Sequence, residues 1–106
     1  MKKYILVLIT ASSLQEGEKI GSELVKDGLA ACCNIIPEIK SIFRWKGEIC
    51  KEKEVLLLAK SKASLFKKLE QRVKKLHSYD VPEIIAFSMD AGLHSYFHWM
   101  DEVLKA

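Results

Sequence analysis

The stretch "LHSYDVPEI", residues 76–84, gathers an imidazole (His77), a phenol (Tyr79) and two carboxylates (Asp80 and Glu83). Imidazole and carboxylate groups are common donors to divalent metals, and the same groups can orient a small molecule. Pro82 fixes the backbone entering the next apolar run, which favours a shaped loop. Polar residues fill ordinary loops too, so spacing alone leaves a solvated turn open. Thiols offer a second chemistry. In "LAACCNII", residues 29–36, Cys32 and Cys33 are adjacent, and Cys50 is the third cysteine of the chain. On a strand, neighbouring side chains leave opposite faces, so the adjacent pair cannot grip one ion. A disulfide between them would be strained. No C-x-x-C occurs, which removes the zinc and dithiol-redox signatures. Cys33 therefore reads as a small packing residue, and Cys50 is expected to be more exposed. His94 and His98 stand four apart, a spacing that can bind zinc or copper on a helix. With no third ligand nearby, they read as surface histidines.

Other chemistries find no support. There is no phosphate-binding G-x-x-x-x-G-K-[ST], no G-x-S-x-G and no G-x-G-x-x-G. No nucleophile–base pair is recognisable, so the chain is not expected to be an enzyme. Seventeen basic and fourteen acidic residues leave +3, too little and too interleaved to imply a nucleic-acid partner. No segment is long enough to span a membrane. "MKKYILVLITASS" resembles a signal peptide, but "YILVLIT" reads better as a buried first strand. Cysteines without a disulfide-scaffold spacing point to reduced thiols in a cytoplasmic protein.

Residues 1–106 form one domain on these grounds. Lys3–Thr10 is the first strand. Gly17, Ile20, Gly21, Leu24, Val25 and Gly28 then fall at helical spacing, with Ser12 or Ser13 as the cap of that helix and Glu16 completing a capping box. Asp27-Gly28 ends it. A second strand starts near Ala30, bends at Pro37 and resumes through "KSIFRWK". Lys46-Gly47-Glu48 turns the chain back into a third strand, and the two arms make a long hairpin. Ser61 or Ser64 caps the next helix, whose inner stripe is Leu65, Leu69, Val73 and Leu76. Its lysines 67, 68, 74 and 75 read as a solvated face rather than an anion site. "EIIAFSM" is a fourth strand. A last helix places Tyr96, Trp99, Met100 and Val103 on one side. The order β-α-β-β-α-β plus a terminal helix is the ferredoxin-like α+β arrangement with an antiparallel sheet.

"YILVLI" and "VLLLA" do not alternate apolar with polar, so both faces of the sheet need cover. Two helices cover one face, and the short last helix is too small for the other. A second copy of the chain is the expected cover, with Phe43 and Trp45 of the hairpin as candidate contacts.

Taken together, "GLAACCNIIP", "SIFRWKGEI", "EVLLLAKS", "ASLFKKLEQRVKKLHSYDVPEIIAF" and "YFHWMDEVL" resemble the CutA family, the divalent-cation-tolerance proteins, nearly end to end. The resemblance implies a PII-like homotrimer of ferredoxin-like subunits whose sheets face inward and whose hairpin arms reach neighbours. It implies a role in tolerance of copper and other divalent cations, with copper binding ascribed to the family and no accepted enzymatic activity. By that resemblance His77 occupies a copper-ligand position and Cys32 the family cysteine. Leu76 and Ile9 stand where some members carry a second histidine and a cysteine. Asn34, Lys60, Tyr79 and Glu83 match recurrent polar positions that line a cleft between subunits. The alternatives are a regulator that binds a small metabolite or protein beside Lys60, and an inert structural assembly module.

Overall fold

The computed structural model describes residues 1–105. Strand β1 (Tyr4–Ala11) leads into helix α1 (Leu14–Lys26), and the long strands β2 (Cys32–Trp45) and β3 (Glu48–Lys62) follow. A 3₁₀ turn at Ala63–Leu65 runs into α2 (Phe66–Leu76), then β4 (Ile84–Ser88) and α3 (His94–Val103). The sheet order is β2-β3-β1-β4, with every neighbouring pair antiparallel. This is the expected ferredoxin-like topology.

Alternation sorts the strand residues onto two faces. Ile5, Val7 and Ile9 of β1 join Val55, Leu57 and Ala59 of β3 beneath Ile20 and Leu24 of α1 and Leu69 and Val73 of α2. These residues are fully or almost fully buried, and truncating a Leu or Ile among them to Ala would cost about 2–5 kcal/mol. Helix α1 approaches closely because Gly17 and Gly21 face the sheet. A Cβ on Gly21 would lie 3.2 Å from Cys33 Sγ, and one on Gly17 would lie 3.1 Å from Val55 Cγ1. Ser13 caps α1 by accepting from Glu16 N–H. The reciprocal arm of the box is shifted by one residue, since Glu16 Oε1 accepts from the N–H and hydroxyl of Ser12. Arg72 ties α2 to α1 through Glu23 at 2.8 Å and Asp27 at 2.9 Å.

Two local expectations need correction. Neither Ser61 nor Ser64 caps α2: the residue before the 3₁₀ turn is Lys62, and no side-chain cap bond forms. Ser61 pairs with Ile5 in the ladder, is fully buried, and donates its hydroxyl to the Leu29 carbonyl at 2.6 Å. Helix α3 is rotated from its expected setting. Met100 is buried as expected, but its inward companions are Phe97 and Leu104, while Tyr96, Trp99 and Val103 lie exposed. The ring of Phe97 stacks on Tyr4 at 4.2 Å, and the Tyr4 phenol donates to Asp101 at 2.9 Å.

The hairpin dominates the outline, which measures 44 × 25 × 23 Å. Its turn is Lys46-Gly47, both with positive φ, the geometry of a two-residue type I′ hairpin loop. On β2 the register jumps between Ile36, opposite Leu56, and Ile39, opposite Glu54. Pro37 and Glu38 thus face a single β3 residue, a β-bulge that a proline without an N–H can occupy. The extra residue inverts the alternation. Before it, Asn34 and Ile36 share the helix-free face with Leu58 and Leu56; beyond it, Ser41 and Phe43 pair with Glu52 and Cys50 on that face.

The helix-free face keeps the apolar character expected of it. Leu6, Leu8, Leu56 and Leu58 are half-buried, whereas Ile85 and Phe87 of β4 are 45% and 52% exposed. Helix α3 covers only the end near Tyr4.

Candidate functional site

The singled-out residues fall into two groups on the helix-free side. His77 follows the last turn of α2, and both its ring nitrogens are engaged. Nδ1 accepts from the Tyr79 N–H at 3.1 Å, and Nε2 meets the Thr10 carbonyl at 2.6 Å. Only the neutral Nε2–H tautomer satisfies both contacts. Tyr79 donates its phenol to Glu54 Oε2 at 2.8 Å. Burial, reinforced by the Glu54 carboxylate, pushes that phenol above the ordinary tyrosine range. Glu54 is only 8% exposed. Glu16 braces the loop from below, its Oε2 accepting from the Ser78 N–H at 2.8 Å. Burial alone would raise the Glu16 pKa, but hydrogen bonds from Ser12 and Ser78 outweigh it and hold the carboxyl down at about 2.

These contacts wall one end of a groove of about 830 Å³. The arm contributes Phe43, Trp45, Cys50, Glu52 and Glu54, and the loop contributes Tyr79, Asp80, Val81 and Glu83. Cys50, expected to be the exposed thiol, is half-buried like the other two.

Cys32, Asn34 and Lys60 form the second group. Lys60 Nζ donates to Asn34 Oδ1 and lies 3.9 Å from Cys32 Sγ. Tyr96 of α3 adjoins them, its phenol pKa raised by burial and by Cys32. Lys60 pairs with Leu6 and Leu56 with Thr10, so the two groups are separated by four residues of strand, roughly 13 Å. Cys33 leaves the opposite face, against Gly21. Burial pushes its thiol up to about 11.

Among the described residues, no three His, Cys, Asp or Glu side chains converge as a metal site. Ile9 is fully buried in the core and Leu76 half-buried at the end of α2, and neither carries a donor atom. His98 leans on Glu102 at 3.3 Å, one turn along α3. In the sequence alone Glu52 and Glu54 look like solvated members of "CKEKE". Their same-face spacing with Cys50 was the available signal.

The family model for the CutA1 divalent ion tolerance protein matches residues 5–103. The chain belongs to this family. It is 45% identical over 97 residues to a divalent-cation tolerance protein CutA of Thermus thermophilus, covering 92% of this chain and 94% of that protein. It is 38% identical to a chloroplastic protein CutA of Arabidopsis thaliana, spanning 91% of this chain but 53% of the plant protein. Among solved structures, the Thermus thermophilus Cut A1 protein superposes with a TM-score of 0.94 at 43% identity, covering 96% of this chain and 99% of that one. A periplasmic divalent cation tolerance protein CutA from Archaeoglobus fulgidus gives 0.93 at 37% identity, covering 96% and 99%. The ferredoxin-like fold is thus shared with structurally defined CutA proteins. Among the described residues, no helix is long and apolar enough to cross a membrane.

Proposed function

We propose that this CutA-family chain is a single-domain, non-enzymatic binding protein that assembles as a homotrimer in the cytoplasm. In this reading it holds copper or another divalent cation, or a small ligand, in a cleft between subunits. The observation that carries the assembly is the apolar helix-free face, with Ile85 and Phe87 exposed beside the half-buried leucines of β1 and β3. Exposed apolar area of this kind marks an interaction surface. Three free cysteines support a reducing compartment. A site between subunits, rather than within one, is supported by the separation of His77 from Cys32 in a single chain. To accept a metal, His77 must leave Thr10 or Tyr79, at a cost of about 0.5–1.5 kcal/mol for the hydrogen bond given up. The groove beneath the arm supports a small-ligand role alongside the metal role, since its volume suits a small molecule.

Sedimentation velocity tests the assembly: a single species of three 12.1 kDa chains is expected, and a monodisperse monomer overturns it. Calorimetric titration of the metal-free protein with copper and zinc, repeated with His77→Ala and Cys32→Ala, tests the metal role. Binding tighter than about 100 µM that either variant weakens supports it, and no such binding overturns it.

A further inference from the structure

The helical layer carries a charge asymmetry that the chain total hides. Helix α2 has five basic residues and one acidic, a net +4, so the rest of the chain stands at −1. Its Lys67, Lys68, Lys74 and Lys75 are all exposed. At about 100° per residue they fall within one arc of roughly 120°, opposite the buried Leu69 and Val73 and with no acid inside it. Among the described residues, none of the four lies within ion-pair distance of a carboxylate. The acids of α1 that face α2 are already engaged: Arg72 holds Glu23 and Asp27, and Ser12 and Ser78 hold Glu16.

A solvated face, the expectation from sequence, does not account for where these charges stand. Lys74 and Lys75 lie in the last turn, where the helix dipole favours cations. Lys67 and Lys68 lie in the first turn, which has no acid and no side-chain cap, and there the dipole opposes them. An external anion relieves that opposition. The face lies on the far side of the sheet from the apolar surface assigned to contacts between copies, so assembly through that surface leaves it open. Its chemistry selects the anion. The four cations form two pairs seven residues apart, roughly 10 Å along the helix, so the ligand must present negative charge over that length. Lysine offers a mobile point charge, not the fork with which arginine grips planar groups. Helix α1 has no aromatic residue and Phe66 of α2 packs against the core, so bases find no platform on which to stack. The arc has no apolar side chain to enter a bilayer. A line of directly linked phosphates meets all these conditions.

We propose that the lysine face of α2 binds linear inorganic polyphosphate, the chain lying along the helix with its phosphates on the Lys67–Lys68 and Lys74–Lys75 pairs. The proposal goes beyond the metal and small-ligand function proposed above and stands or falls independently of it.

Calorimetric titration of the full chain with medium-chain polyphosphate tests it, with pyrophosphate, an oligothymidylate of equal phosphate number and phosphatidylserine vesicles as comparison probes. Saturable polyphosphate binding is expected, weakened about 10-fold or more when salt rises from about 50 to about 200 mM. Pyrophosphate, too short to join the two lysine pairs, should bind about 10-fold or more weakly. Oligothymidylate, whose sugars dilute its charge, and the vesicles should also bind more weakly than polyphosphate. Lys67→Gln/Lys74→Gln and Lys68→Gln/Lys75→Gln should each weaken polyphosphate about 10-fold. Lys2→Gln/Lys51→Gln removes the same charge elsewhere and should leave binding unchanged. All six lysines are exposed, and glutamine matches lysine in helix propensity, so the fold of these variants is secure. Polyphosphate binding that is absent, that persists undiminished in both α2 variants, or that the Lys2 and Lys51 changes weaken equally overturns the proposal. Oligothymidylate or vesicles bound as tightly as polyphosphate also overturn it, because the face would then be a nucleic-acid or membrane contact. Copper binding that persists through any of these failures leaves the metal reading standing.

Discussion

Replacing Glu16 with Gln removes the charge from the carboxyl that joins the α1 cap to the His77–Tyr79 loop, while keeping one acceptor oxygen. Its pKa falls from 4.5 to about 2 on folding, driven by donors from Ser12 and Ser78 against the opposing effect of burial. At about 1.4 kcal/mol per unit, the shift sets a ceiling near 3 kcal/mol, and solvent screening of this partly exposed group reduces it to about 1–2 kcal/mol. A carboxyl whose pKa is depressed in the folded state contributes fully above its unfolded value. That contribution declines as pH falls from about 4.5 towards 2. Urea unfolding at fixed protomer concentration, at pH 7, 4.5, 3 and 2, measures it for both proteins. Glu16→Gln should be about 1–2 kcal/mol less stable at pH 7, and the two proteins should converge near pH 2. A difference that is absent at pH 7, or constant down to pH 2, would refute the assignment of the carboxylate as the acceptor at this junction.

Other substitutions probe separate parts of the fold. A Cβ on Gly92 would sit 2.5 Å from the Phe97 ring, so Gly92→Ala should unstack Phe97 from Tyr4 and cost about 1–3 kcal/mol in urea unfolding. Lys46→Asn should stabilise the hairpin turn by up to about 1 kcal/mol, because Asn tolerates the positive φ of 49° held there, and thermal unfolding would register the gain. Cys33 should be the last thiol modified by a disulfide reagent at pH 8, since burial pushes it up to about 11; peptide mapping that finds it labelled as fast as Cys50 would contradict this.

Periodicity and turn chemistry made the element order legible: the Ser13–Glu16 cap, the Lys46-Gly47 turn and the unbroken apolar strands can all be read from neighbouring residues. What escaped reading depends on register between distant segments. Ser61 resembles a helix cap until it is known to pair with Ile5, which carries β3 through to Lys62. The setting of α3 is decided by the stacking of Phe97 on Tyr4, more than ninety residues earlier, and no local period encodes that contact. The candidate site was legible as donor types in "LHSYDVPEI", but not as geometry. That His77 has both nitrogens occupied, and that Glu54 lies beneath Tyr79, follows from how the loop folds over β1 and β3.

The bulge at Pro37 and Glu38 marks the place where the arm can absorb a change of length. Deleting one codon there would leave both strands nearly as long and their composition almost unchanged. One residue would then face Val55, the bulge would close into a regular ladder, and Phe43 and Trp45 would keep Cys50 and Glu48 as partners on the same face. A deletion between the bulge and the Lys46-Gly47 turn would instead move the residues between the two to the opposite face, if the bulge closed to absorb it. Among natural variants, a one-residue length difference in β2 should therefore fall at residues 37–38, with the residues facing the groove unchanged.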